Sequence, residues 1–155
     1  EEILAINPDG VMLTNGPGNP EENTEVIETL KKLIAAKMPM FGICLGHQLT
    51  ALANGGKTMK LKYGHRGGNQ PVKDLNTGRV YVTSQNHGYA VVGDSINPAV
   101  GKMSHWNVND NTCEGVEYYN APVYTVQFHP EACGGPRDTS YLFARFMTMM
   151  SKEGE

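Results

Sequence analysis

Cysteine is scarce in this chain: Cys44, Cys113 and Cys133 are the only three in 155 residues. An odd number at unrelated spacings excludes a fully paired disulfide framework and offers no CxxC metal pair, so a reducing compartment and at least one free thiol are expected. Long apolar runs are also missing. Stretches such as Met38 to Leu45 fall far short of the roughly 20 residues that span a bilayer, and no signal peptide opens the chain. We therefore expect a soluble, cytoplasmic protein with no membrane partner. Charge of one sign is lacking too: 13 Lys and Arg stand against 16 Asp and Glu, net -3, with no dense basic block. That argues against a nucleic-acid partner. With 39% hydrophobic and 19% charged residues the composition lies outside the disordered regime, and the length suits one domain, residues 1–155.

What is present reads as alternating strands and helices. Val11 to Thr14 is a short apolar run closed by the turn residues NGPGNP at 15–20. Glu21 to Lys37 carries Val26, Ile27, Leu30, Leu33 and Ile34 at amphipathic-helix spacing, with acids early and lysines late as the helix dipole favours. Pro39 stops that pattern. The apolar run MFGICL then has the composition of a parallel strand buried on both faces, and GHQLTALANGG continues as a helix until Gly55. Short connections between parallel neighbours predict an α/β arrangement. The middle differs, with PVKDL, RVYVTSQ, YAVV, KMSHWNV, EGVEYY and PVYTVQF as short strands of a mixed or antiparallel meander. A last helix, capped by Asp138, would place Tyr141, Leu142, Phe143, Phe146, Met147 and Met150 at helical spacing and pack its apolar face on the sheet.

The most informative segment is Gly42-Ile43-Cys44-Leu45-Gly46, a G-x-C-x-G between the buried strand and the next helix. It has the layout of a nucleophile elbow with sulfur in place of a hydroxyl. Small flanking residues permit a strained turn, and a helix N-terminus lowers a thiol pKa. The competing reading of Cys44 is an inert cysteine in an apolar strand, where such residues usually sit. A thiolate needs a base and an orienting group, and Phe128-His129-Pro130-Glu131 supplies both after the strand YTVQF. His47, His65, His87 and His105 compete with His129 for that role; His105 has no acid near it in sequence. No histidine pair has i, i+4 or HxH spacing and cysteine never clusters with histidine, so no metal is expected. The loop Asn15-Gly16-Pro17-Gly18 suits a phosphate cradle or an oxyanion loop, but lacks GxxxxGK[ST] and GxGxxG.

NGPGNP, FGICLGHQL, SQNHGYAV and FHPEA, in this order and at these separations, resemble the class I, triad-type glutamine amidotransferases over essentially the whole chain. The segment KLKYGHRGGNQPVKDL is similar to the GH-x-GGN-x-PV segment of the small (glutaminase) subunits of carbamoyl phosphate synthetases within that family. The resemblance implies a flavodoxin-like open sheet, mostly parallel with additional antiparallel strands and helices on both faces. It implies that Cys44 attacks the side-chain amide of L-glutamine, that His129 shuttles protons and that Glu131 orients His129. The backbone N–H groups of Gly16 and Leu45 would form the oxyanion hole, and Gly18, Gln48, Asn86, Gly88 and Tyr89 would hold the substrate. Ammonia would pass to a large synthetase subunit, which would carry ATP and Mg²⁺, leaving no cofactor on this chain.

Several departures accompany the resemblance. Tyr89 stands where the family often has Phe, and Asn19 where it has Asp. A strand, helix and strand that open the family's amidotransferase domain, and the small subunit's own N-terminal domain, are absent before Asn7-Pro8-Asp9-Gly10, so a truncated domain with exposed apolar edges is expected. Cys113 and Cys133 are expected to be spectator thiols. Rival readings are another class I amidotransferase, a γ-glutamyl hydrolase using the same three residues, or a non-catalytic interaction subunit. The GGNQPV segment argues against the first two and the intact Cys44, His129 and Glu131 against the third.

Overall fold

Apolar and amphipathic segments alternate in the first part of the chain, and each becomes the element its periodicity predicts. The computed structural model describes residues 10–13, 19–128, 142 and 144–148, with backbone alone at 63, 66, 68, 69 and 86. Strand β1 is Val11–Leu13, helix α1 is Thr24–Ala35, strand β2 is Met40–Ile43 and helix α2 is Leu45–Ala53. Helix α1 starts one turn later than the sequence pattern, because Asn19 and Pro20 open a separate 3-10 turn at Pro20–Glu22. There the Asn19 side chain accepts the Glu21 N–H at 3.0 Å. At its other end Lys37 adopts φ 59°, and the Met38 N–H reaches back to the Leu33 carbonyl at 3.1 Å. That is a left-handed helix stop made without glycine.

Downstream lie β3 (Thr58–Asp74), β4 (Val80–Val91), β5 (Gly101–Asn107), β6 (Cys113–Tyr118) and β7 (Val123–Val126). The seven strands form one sheet in the order β1-β2-β7-β6-β4-β3-β5. β1, β2 and β7 run parallel, and the remaining pairings are antiparallel. β6 also pairs with β5, so β3, β4, β6 and β5 close into a curled ring beside the parallel trio.

The hairpin β3–β4 corrects the expected division into short strands. The glycine-rich GHRGGN segment reads as a break, yet β3 runs through it for 17 residues. Register shifts at Lys60/His65 and Gly67/Gln70 absorb the extra residues as bulges, where Gly64 and Gly67 take φ of 74° and 102°. Likewise β4 continues from Val80 through Asn86-His87-Gly88 to Val91 as a single strand.

Because successive strand residues point to opposite faces, the parallel strands feed two cores. Met40 and Val123 join Leu30, Leu33, Ile34, Leu49 and Ala51 of the two helices. Phe41, Ile43, Tyr124 and Val126 join Phe128, Leu142 and Phe146 on the other face. Residues 142 and 144–148 are helical, so the expected last helix does cover the sheet; Asp138, Tyr141, Phe143 and Met150 lie outside the described residues. Phe41 stacks on Tyr124 with centroids 4.6 Å apart, and the Tyr124 hydroxyl donates to the Leu142 carbonyl. Each fully buried side chain of this size contributes about 1.5–3 kcal/mol.

Candidate active site

The parallel trio ends at a strained residue. Cys44 follows β2 directly and caps α2 with φ 56° and ψ -108°, a conformation that costs a non-glycine residue about 1–3 kcal/mol and persists only where its surroundings enforce it. They do. The Cys44 N–H donates to the Val126 carbonyl at 2.9 Å and its carbonyl accepts the Gln48 N–H at 3.2 Å. The two motif glycines allow the turn by close approach. A Cβ at Gly42 would lie 2.9 Å from the backbone of Gly46, and one at Gly46 would lie 2.6 Å from the Leu13 carbonyl oxygen. Both distances are below contact, so G-x-C-x-G is a packing requirement of this corner.

The sulfur, at the edge of the apolar cluster of Phe41, Ile43 and Phe128, meets a buried amide. Gln127 Nε2 donates to Cys44 Sγ at 3.6 Å, and Gln127 Oε1 accepts from Gln48 Nε2 at 2.9 Å. Gln48 Nε2 also donates to the Tyr89 carbonyl at 2.8 Å. Cys44, Gln48 and Gln127 are all buried. The fold thus brings together Cys44, Leu45, Gln48 and Tyr89 of the expected site, with Asn86 and Gly88 next to Tyr89 on β4. The Leu45 N–H, at the first position of α2, has no intrahelical acceptor. Gly16, Gly18, His129 and Glu131 lie outside the described residues, as does Cys133. Gln127 escaped the sequence reading because it resembles one more residue of the strand YTVQF. The signal was a polar amide inside an apolar run two positions before the HPE motif.

The other histidines have separate roles. His47 is fully buried beneath α2, its Nδ1 2.7 Å from Thr125 Oγ1. Burial, reinforced by His87 and His105, pushes its pKa down to about 3, so it is a neutral core residue. His105 was expected to lack an acid, but β3–β5 pairing sets Asp74 opposite it, with Asp74 Oδ2 3.7 Å from Nε2. Burial nevertheless lowers its pKa.

His65 and His87 meet across the hairpin, Nδ1 to Nε2 at 3.2 Å. His65 Nε2 lies 2.7 Å from Asp110 Oδ2 and its Nδ1 3.5 Å from Glu114 Oε1. His87 Nδ1 lies 2.6 Å from the Tyr89 carbonyl, and Gln85 donates to Glu114. The ligand atoms of His65, His87 and Glu114 lie within 4.8 Å of one another, a cluster invisible to spacing rules because three strands supply it. Glu114, with Asp110, outweighs burial and raises the His65 pKa to about 9. Burial raises the Glu114 pKa against the pull of His65, and the bond from His65 helps hold Asp110 below the ordinary carboxylate value against the opposing effect of burial.

Comparison with known proteins places this geometry. The family model described as glutamine amidotransferase class-I matches residues 1–149. The carbamoyl phosphate synthase small chain of Fusobacterium nucleatum is 60% identical over 147 residues, covering 95% of this chain and 41% of that one. That of Listeria monocytogenes is 58% identical over 157 residues, covering 100% and 43%. The chain thus spans about two fifths of the length of these relatives. Among solved structures, a putative GMP synthase subunit from Thermoplasma acidophilum superposes with TM-score 0.77 at 22% identity, covering 93% of this chain and 73% of that one. A glutamine amidotransferase from Thermotoga maritima gives TM-score 0.65 at 17% identity, covering 92% and 63%. At such identities the two structures share the fold. Among the described residues no helix is long and apolar enough to cross a membrane.

Proposed function

This chain belongs to the glutamine amidotransferase class-I family, and from that premise we propose that it is the glutaminase part of a carbamoyl phosphate synthase small chain. The observation that carries the reading is the strained Cys44 at the start of α2, its sulfur held against Gln127, whose amide is in turn bonded to Gln48. Strain of this kind persists where a nucleophile must be aimed.

In this reading the Cys44 thiolate attacks the side-chain amide carbon of L-glutamine. The tetrahedral oxyanion is held by the N–H groups of Leu45 and Gly16; losing one such donor costs about 10²–10³ in rate. His129, oriented by Glu131, protonates the departing nitrogen, the C–N bond breaks, and ammonia leaves a γ-glutamyl thioester. Water, deprotonated by His129, attacks the thioester, glutamate departs and the thiolate returns. Gln48 spends both amide hydrogens on Tyr89 and Gln127, which leaves its carbonyl oxygen as an acceptor for the α-ammonium group. Gly18, Asn86, Gly88 and Tyr89 complete the substrate grip. The ammonia goes to a large synthetase chain that binds ATP and Mg²⁺, and this chain needs no cofactor or metal of its own.

The test treats the full-length protein with a glutamine-mimicking electrophile and maps modified cysteines by mass spectrometry, with Cys113 and Cys133 as internal controls. Selective labelling of Cys44 that excess glutamine blocks is expected. Cys44→Ser should abolish glutamine-dependent carbamoyl phosphate synthesis and spare ammonia-dependent synthesis by the partner. Retained glutamine use in that variant would overturn the reading.

A further inference from the structure

We propose that Gln127 is a positioning residue for the nucleophile: its one amide fixes the Cys44 sulfur through its nitrogen and the Gln48 amide through its oxygen. The inference rests on the glutaminase reading for the identity of Cys44 as nucleophile, but it concerns a residue outside the Cys-His-Glu set and outside the expected substrate contacts.

The available hydrogens decide how the two amides are turned. The Tyr89 carbonyl can only accept, so the Gln48 group 2.8 Å from it must be the NH₂. Gln48 Nε2 therefore has a hydrogen left for its second neighbour, Gln127 Oε1 at 2.9 Å. That neighbour must be a carbonyl oxygen, and the Gln127 NH₂ is consequently turned to Cys44 Sγ at 3.6 Å. Reversing the Gln127 amide would set NH₂ against NH₂ and a carbonyl oxygen against the sulfur. A backbone carbonyl on β4 thus dictates, through two amides, that Cys44 faces a donor. Gln127 is fully buried, and its own N–H donates to the Glu114 carbonyl at 2.8 Å, so its main chain is pinned as well. A donor on sulfur favours thiolate over thiol, while a fixed amide limits the sulfur to one rotamer.

The proposal separates from a packing role through the ionisation of Cys44, read without glutamine. The rate of Cys44 alkylation by iodoacetamide is followed against pH in the full-length protein, its Gln127→Met and Gln127→Glu variants, and Gln48→Met. Gln127→Met keeps the volume and removes the donor, and should leave about tenfold less thiolate at a pH below the transition, one pH unit of displacement. Gln127→Glu sets a carboxylate on the sulfur and should displace the profile further in the same direction. Gln48→Met touches no sulfur but releases the Gln127 amide, and a smaller displacement of the same sign is expected. It also keeps the test decisive should both Gln127 variants fail to fold. Coincident pH profiles among folded variants would overturn the proposal. If the profiles separate while the wild-type protein hydrolyses no glutamine, the positioning role stands and the glutaminase reading fails. If glutamine turnover is normal and the profiles coincide, the glutaminase reading stands and the positioning role fails.

Discussion

Replacing His65 by Gln tests the cluster that β3, β4 and β6 bring together, and the size of the effect follows from its geometry. The His65 side chain is 8% exposed and faces Glu114 at 3.5 Å, Asp110 at 2.7 Å and His87 at 3.2 Å. The attraction of Glu114, with Asp110 assisting against burial, raises its pKa from 6.5 to about 9. At about 1.4 kcal/mol per tenfold change, that raise corresponds to about 3 kcal/mol of stability. Asp110 is 44% exposed, so solvent screens its share, and about 2 kcal/mol is a better expectation. The sign follows from linkage. The folded protein holds this proton more tightly than the unfolded chain, so the contribution is complete below 6.5 and disappears as pH rises through about 9. Urea unfolding of wild type and His65→Gln should therefore show the variant least stable relative to wild type near about pH 6, with the gap shrinking by about 2 kcal/mol by about pH 10. A gap that stays constant across that range, or widens with pH, would refute the reasoning. It would mean that His65 is neutral in the fold and that Glu114 is buried as an acid.

Gly46→Ala should destabilise the protein by about 1–3 kcal/mol, visible as a lower urea midpoint, since a Cβ there meets the Leu13 backbone at 2.6 Å and overpacking outweighs the helix-propensity gain of less than about 1 kcal/mol. The comparison variant Gly78→Ala has open space around its Cβ and carries only the strain of φ 78°; a loss at Gly46 no larger than at Gly78 would count against the described corner. Phe146→Ala, at a side chain 5% exposed with its ring 5.9 Å from Phe41, should cost about 3–5 kcal/mol in the same assay. Met147→Ala, at a side chain 62% exposed, should stay within about 0.5 kcal/mol; equal losses would show that the last helix is turned the other way.

What could be read from the sequence was local. The elbow declares itself because two glycines and a cysteine within five residues answer to one strained turn, and the structure supplies the contacts that require them. Helix α1 was legible from Leu30, Leu33 and Ile34, and the last helix from Leu142 and Phe146, because their spacing is short-range. What pairing creates was not legible. His65, His87 and Glu114 come from three strands, and Asp74 reaches His105 only through β3–β5 register. Bulged glycines and turn glycines look alike in sequence, so the long β3 was read as a broken one. Gln127 was hidden by its neighbours, since a single amide in an apolar strand has no period.

The two halves of the sheet have different tasks, and the division explains why the fold buries so many polar groups. The parallel half supplies a rigid strand end, where β2 and β7 fix Cys44 through the Val126 carbonyl. The curled antiparallel half brings up the Tyr89 carbonyl, which receives the Gln48 amide and lies 2.6 Å from His87 Nδ1. From Asp110 to Cys44 the contacts run without a break through His65, His87, Tyr89, Gln48 and Gln127. Replacing a whole buried charged network by an apolar core of the same volume is often neutral or stabilising, even where removing one member of it is costly. Such a core could not determine which end of the Gln127 amide meets the sulfur. The GHRGGN segment is part of this device: it bulges β3 so that His65 falls opposite His87, and through His87 it reaches the carbonyl that orients both amides. If Gln127 positions the thiol as proposed, the part of this chain from the Tyr89 carbonyl to Cys44 contributes orientation as well as stability.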